Sequence, residues 1–437
     1  MKFGGTSLGS PERMHHLVSL INKENEPAII VLSALSGTTN ALVEIADNIA
    51  KGDRLLAKKN IDKLEVHYRA YIRKLVKNEK AVVKANNIVA EHFEFLTIIL
   101  KISFSEALSK DILAQGELLS TKLFSVYMEE QGIEHALLPA LDFMTIDNYH
   151  EPQIGSIKVK LTQLLKQHGH IKLFITQGYI CRNARGEVDN LKRGGSDYSA
   201  SLIAAAVNAN VCEIWTDIDG MHNNDPRIVK KTIPVEQLSF EEAAELAYFG
   251  AKILHPATIC PAQQFNIPVR LLNTLQPQAR GTLITREAGS VGVKAVAAKD
   301  NIIAIRIKST RMLLAYGFLR KIFEVFEKYR TPIDMITTSE VAVSLTIDNP
   351  DNLDEILKEL QTFGTIDVDK DQVIISVVGN EIAQTQDIIK KLFGSIVNIP
   401  VRMVSYGGSP HNISLLVTAE NKERILQQLN KGMFGLD

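Results

Sequence analysis

The chain is poor in cysteine. Cys181, Cys212 and Cys260 are scattered through 437 residues, each beside apolar neighbours. That usage argues against a disulfide framework or a cysteine-ligated metal centre, reads as buried core thiols, and places the protein in a reducing compartment. A surplus of one charge is missing as well. The Lys+Arg count of 49 against an Asp+Glu count of 50 leaves a formal net charge of −1, and no basic block stands out. Nucleic acid is therefore not expected as a partner. No apolar run is long enough to span a bilayer and no signal peptide opens the chain, so a cytoplasmic location and no membrane partner are expected. Neither usual nucleotide motif is present. The N-terminal glycine loop lacks the lysine of a P-loop, because Gly9 is followed by Ser10 and Pro11.

What is present is an ordinary globular composition, 45% hydrophobic and 23% charged, with length for two or three domains. The chain is organised around Leu191-Lys192-Arg193-Gly194-Gly195-Ser196-Asp197-Tyr198. This stretch follows an apolar run at 171–180 that reads as a buried strand, and it opens an Ala-rich helix over 198–207. Paired glycines let the backbone approach a ligand, Ser196 is placed to cap the helix, and Arg193 offers a forked donor to carboxylate or phosphate. An ordinary strand-to-helix turn is the plain alternative. A second loop of the same kind, Met1-Lys2-Phe3-Gly4-Gly5-Thr6-Ser7, weakens that alternative. Only Met1 precedes Lys2, so the strand expected before this loop is short, or the start lies a few residues upstream.

A helix over 14–22, a strand over 28–32 and a polar loop over 33–40 follow, the alternation of an α/β domain with a largely parallel sheet. Its ligand crevice should lie at the carboxyl ends of the strands. The stretch 40–131 is mostly helical scaffold, with Glu117 beside Gly116 as the exception; a solvated surface glutamate is the plain reading of that residue alone. A strand over 211–215 runs into a polar loop, 216–227, suited to a nucleotide. A helix over 240–249 leads to Gly250-Ala251-Lys252, and strands at 268–272 and 281–284 close a first domain near residue 285. Beyond it, helix 318–329 with strands 333–337 and 341–347, then helix 387–393 with strands 401–405 and 413–417, form a repeat. Both units read β-α-β-β-α, a ferredoxin-like beginning, and the second lacks a final strand. The strand at 292–298 is expected to supply that edge, interlocking units of 286–370 and 371–437.

Phosphoryl transfer needs positioning and positive charge where charge spreads over the moving oxygens. Two glycine loops with Lys2 and Lys252 suit a clamp on a triphosphate, with Asp197 orienting the lysines.

At this point the motifs resemble a family. Lys2–Ser7 (KFGGTS), the 33–40 loop, QGELLS at 115–120, RGGSD at 193–197, the 215–227 loop, FGAKILHP at 249–256 and two trailing repeats look like aspartate kinase of the monofunctional, lysine-regulated type, in the amino acid kinase family. The match spans nearly the whole chain in the expected order. It implies an amino acid kinase fold followed by two ACT domains, and transfer of the γ-phosphoryl group of ATP, with Mg²⁺, to the β-carboxylate of L-aspartate.

Carried over by position, the resemblance places Lys2 on the transferring phosphoryl group, Asp197 as its organiser and Lys252 beside the nucleotide. Gly4, Gly5, Thr216, Asp217, His222 and Arg227 fall on further nucleotide contacts. Arg193 falls on the binder of the substrate α-carboxylate and Glu117 on that of its ammonium. Ser33 and Thr39 hold the reacting carboxylate, with Gly194, Gly195 and Ser196 around the substrate. Met312, Gly317, Phe318, Leu319 and Asp334 match the pattern that holds lysine as inhibitor, between chains of a homo-oligomer, dimer or tetramer. Three positions depart from the pattern: His222 replaces a tyrosine, Lys192 a glycine and Ala315 a serine. Two other readings are another carboxylate or carbamate kinase of the same family, and a non-catalytic sensor that uses only the ACT units.

Overall fold

The computed structural model describes residues 1–21, 26–191, 194–250, 254–287, 289–309, 312 and 316–436. The chain divides into two compact units. The first is Met1–Gly220 with Leu254–Arg286, and the second is Met221–Ile253 with Glu287–Asp437.

The first unit is built on a sheet whose strands run, across the sheet, Ala136–Leu138, Leu173–Gln177, Ala28–Leu32, Lys2–Phe3, Cys212–Thr216, Val269–Asn273 and Thr282–Thr285. All neighbours pair parallel except the last, which is antiparallel. Apolar stretches such as AIIVL and LFITQ suit strands covered by helices on both faces. The first strand has only two residues, yet it sits mid-sheet, with Lys2 opposite both Val31 and Ile214 and Phe3 opposite Leu32 and Trp215. Phe3 is fully buried and stacks on Trp215 with ring centroids 5.8 Å apart. This central position, with strands laid down on either side, makes a switch point, and the loops after Phe3, Leu32, Gln177 and Thr216 gather at the strands' carboxyl ends.

Three long helices, Arg54–Leu75, Glu79–Ile99 and Glu106–Glu130, share a core containing Ile61, Tyr68, Phe93, Leu119 and Phe124. Asp53, Asn78 and Ser105 cap their starts by accepting from the backbone N–H groups of Leu56, Lys80 and Leu108. The run expected as one strand over 171–180 is broken in two. Tyr179 takes a left-handed φ of 66°, ending the sheet strand at Gln177 and starting a separate hairpin of Ile180–Arg182 with Val188–Asn190.

The second unit carries an antiparallel sheet in the order Ile336–Thr338, Ala342–Ile347, Gly292–Lys308, Thr365–Asn380, Asn412–Thr418 and Met403–Ser409. Its two long central strands run through both repeats. Val296 pairs with Val377, beside the strand Asn412–Thr418, whereas Ile305 pairs with both Leu345 and Val368. The close passage of these strands needs a glycine, because a Cβ on Gly379 would lie 2.1 Å from the Gly292 carbonyl oxygen. Helices Phe318–Lys328 and Leu353–Leu360 cover one half, and Ile388–Ser395 and Lys422–Phe434 the other.

The segment Met221–Ile253, expected with the first domain, packs within this unit. Asn223 donates to Asn430 Oδ1 at 3.1 Å and Asn224 to the Leu426 carbonyl at 2.9 Å. Its helix Phe240–Tyr248 opens with a capping box of Ser239 and Glu242, and Lys294 lies 3.1 Å from the Glu242 carboxylate.

Candidate active site

The glycine loop after Phe3 and the helix Gly195–Val207 meet at one ion pair. Lys2 Nζ lies 2.6 Å from Asp197 Oδ1, both side chains mostly buried. Asp197 stands in the first turn of its helix, where the free N–H groups and the macrodipole favour a negative group. A Cβ on Gly4 would sit 3.3 Å from Lys2 Nζ, and one on Gly5 only 2.9 Å from the Ala34 carbonyl oxygen. The glycines therefore hold the loop against both the lysine and the next loop.

Gly194, at φ 68°, is the N-cap of the helix, and no side chain caps it. This corrects the expectation for Ser196. The left-handed glycine already turns the chain into the helix, which leaves Ser196 as the second residue of the first turn and buries it against Gly178. A Cβ at Gly178 would lie 2.3 Å from that of Ser196. The first-turn N–H groups are thereby left without a side-chain cap.

A cavity of about 480 Å³ is lined by Gly5, Ser33, Thr39, Glu117, Gly195 and Ser196 among others. Glu117 lies at the middle of the helix Glu106–Glu130 and is 4% exposed, not the solvated residue that its local sequence suggests. One carboxylate oxygen accepts from the Ala34 N–H at 3.3 Å, and the other has no hydrogen-bond partner among the described residues. Burial pushes this carboxyl up to about 8, only partly offset by the Ala34 amide. A buried acid with one free oxygen at a cavity suits a cationic ligand group. Ser120 fixes the wall by donating to the Ser33 carbonyl at 2.7 Å. A larger cavity, about 700 Å³, lies against the apolar flank of the helix at Ile203 and Val207, away from the Lys2–Asp197 pair.

Thr216 and Asp217 follow the strand next to Phe3, with the Thr216 hydroxyl donating to Asp217 at 3.1 Å. The Thr216 carbonyl accepts from both the amide and the hydroxyl of Thr274. His222 and Arg227 belong to the second unit. His222 Nδ1 lies 2.8 Å from the Thr232 hydroxyl, and Arg227 forks onto both oxygens of Asp225, at 2.9 and 2.6 Å. Arg193 and Lys252, together with Lys192 and Ala315, lie outside the described residues.

At the expected effector site, Gly317 (φ 77°) starts the helix Phe318–Lys328, with Phe318 buried, Leu319 exposed and Met312 against the same core. The Asp334 side chain is fully buried and already paired. Lys299 Nζ and the Tyr248 hydroxyl reach its Oδ1 at 2.6 and 2.7 Å. Sequence reasoning missed Lys299 and Tyr248, and also Tyr179, which lines the cavity beside Glu117. Lys299 stands in a strand expected to end at 298, and no local pattern marks any of the three.

The profile of the amino acid kinase family matches residues 1–273, and an ACT domain profile matches 375–433. Lysine-sensitive aspartokinase 3 of Escherichia coli K12 is 32% identical over 453 residues, covering 99% of this chain and 98% of that protein. Aspartokinase 3, chloroplastic, of Arabidopsis thaliana is 34% identical over 466 residues, covering 100% of this chain and 82% of that one. Among solved structures, E. coli aspartokinase III in complex with aspartate and ADP superposes with a TM-score of 0.85 at 31% identity, over 99% of both chains. The same enzyme in complex with lysine and aspartate gives 0.80 at 31%, over 99% of this chain and 98% of that one. The chain belongs to the amino acid kinase family and, within it, to the aspartokinases.

Proposed function

We propose that this chain transfers the γ-phosphoryl group of ATP to the β-carboxylate of L-aspartate, and that lysine inhibits it through the ACT unit. The observation that carries the reading is Glu117, a buried acid with one unpaired oxygen at the cavity beside the helix start. An amino acid brings the ammonium that this oxygen lacks. Once the ammonium docks, Glu117 loses its proton and the pair is held in low dielectric.

The reacting carboxylate lies toward Ser33 and Thr39, and Arg193 takes the α-carboxylate. Lys2, fixed by Asp197, sets its ammonium against the transferring phosphoryl group, where charge spreads over three oxygens. Gly4 and Gly5 let the loop close on the phosphates, and the uncapped N–H groups of the helix Gly195–Val207 add positive potential. Thr216, Asp217, His222, Arg227 and Lys252 serve the nucleotide. Mg²⁺ in this reading comes with ATP and would supply positive charge against its phosphates. The working form is a homo-oligomer joined through ACT units. The reading places this work in the cytoplasm, and no helix among the described residues is long and apolar enough to cross a membrane.

ADP release measured against a panel of acceptors tests this. Release that requires aspartate, and not glutamate, N-acetylglutamate or carbamate, is the expected result. Release only with another acceptor moves the chain to a different branch of the family. A folded protein that releases ADP with none of them is the sensor.

A further inference from the structure

Asp334 is an unusual place for a free amino acid to dock, because the chain has put a lysine of its own there. Lys299 Nζ lies 2.6 Å from Asp334 Oδ1 and 2.9 Å from Asp348 Oδ2, and 4.3 Å from the centre of the Tyr248 ring. The side chain of Lys299 is nearly buried and that of Asp334 wholly so, whereas that of Asp348 is 38% exposed. Both contacts to Asp334 fall on Oδ1, and the buried Oδ2 has no hydrogen-bond partner among the described residues.

A second ammonium arriving at Oδ2 would therefore stand a few ångströms from Lys299, whose charge is already divided between Asp334 and the partly exposed Asp348. Like charges so placed repel strongly. Asp348 offers the relief, since Lys299 already touches it and needs only a small shift to leave Asp334.

We propose that Lys299 is a built-in competitor at the effector site: its ammonium holds the Asp334 carboxylate, and a ligand ammonium docks there only as Lys299 moves onto Asp348. The inference rests on the reading above that lysine binds at Asp334. Lys299 and Asp348 then set the affinity in opposite directions, although neither touches the ligand. Removing the competitor tightens binding. Removing the acceptor keeps Lys299 on Asp334 and weakens it. A merely structural role for Lys299 predicts weaker binding in both variants.

Calorimetric titration of L-lysine into the intact protein separates these cases. Lys299→Met is expected to lower the dissociation constant about three- to tenfold, and Asp348→Asn to raise it by about the same factor, the range of a partly exposed ion pair. Lys299→Arg, which keeps the cation and its two partners, stays near wild type. A dissociation constant that is unchanged or raised in folded Lys299→Met, checked by thermal melting, overturns the inference and leaves the lysine-binding reading standing. Wild-type protein that takes up no lysine removes that reading and this inference with it.

Discussion

Lys2 and Asp197, the second residue of the chain and a residue in the first turn of a helix near its middle, form an ion pair of 2.6 Å at the carboxyl ends of the strands. The pair ties the glycine loop to the helix start, so each residue fixes the other's working position.

Groups that act as a unit are not additive. Lys2→Met should lower kcat by about 10²- to 10³-fold, the usual range for one lost electrostatic contact to a transition state. Asp197→Asn should lower it less. The double variant should cost little more than Lys2→Met alone, and steady-state kinetics on the three proteins checks this.

Glu117→Gln keeps the shape of the acid and removes the charge that a substrate ammonium would meet. The aspartate KM should rise about 10²-fold, the scale of a buried charge pair broken on one side, while the KM for ATP stays near wild type. A rise in both together would place Glu117 in the fold and not at the substrate.

The same residue makes stability depend on pH. Its carboxyl is raised from an ordinary 4.5 to about 8 by burial, so the folded chain holds a proton that the unfolded chain has lost. Its contribution is full below 4.5 and disappears as pH rises through 8. Melting temperatures without aspartate should fall between about pH 5 and 8.5, with a shallower fall in Glu117→Gln. Saturating aspartate should flatten the wild-type slope, because the docked ammonium favours the ionised carboxylate.

Gly178 lets the helix start lie against the strand end. In Gly178→Ala the added methyl would meet Ser196 at 2.3 Å, backbone-fixed on both sides. The expected loss is about 2 kcal/mol or more by chemical denaturation, with activity falling as the helix start moves. Ser196→Gly in the same chain should restore much of the stability; Ser196→Ala should not.

The parts of the fold that were legible in the sequence are those set by local pattern. The apolar run at 28–32 and the glycine pairs at 4–5 and 194–195 stand where a parallel sheet needs them. What was illegible depends on distant contact or on backbone choice. Tyr179 adopts a conformation tyrosine rarely takes, so the run 171–180 reads as one strand. Ser196 has the chemistry of a cap, but Gly194 takes that place. Glu117 looks like any surface glutamate until the helices around it are packed. Lys299 and Asp334 meet only when a strand of the sheet and the chain before Ile336–Thr338 are brought together, and no spacing records that.

The most direct measurement is acyl-phosphate trapping. The protein is incubated with ATP, Mg²⁺ and L-aspartate, hydroxylamine is added, and the hydroxamate is measured with and without lysine. The account predicts a hydroxamate that requires aspartate, fails in Lys2→Met and falls as lysine is added. A folded chain that forms no aspartyl hydroxamate, or a Lys2→Met variant that forms it as fast as wild type, would contradict it.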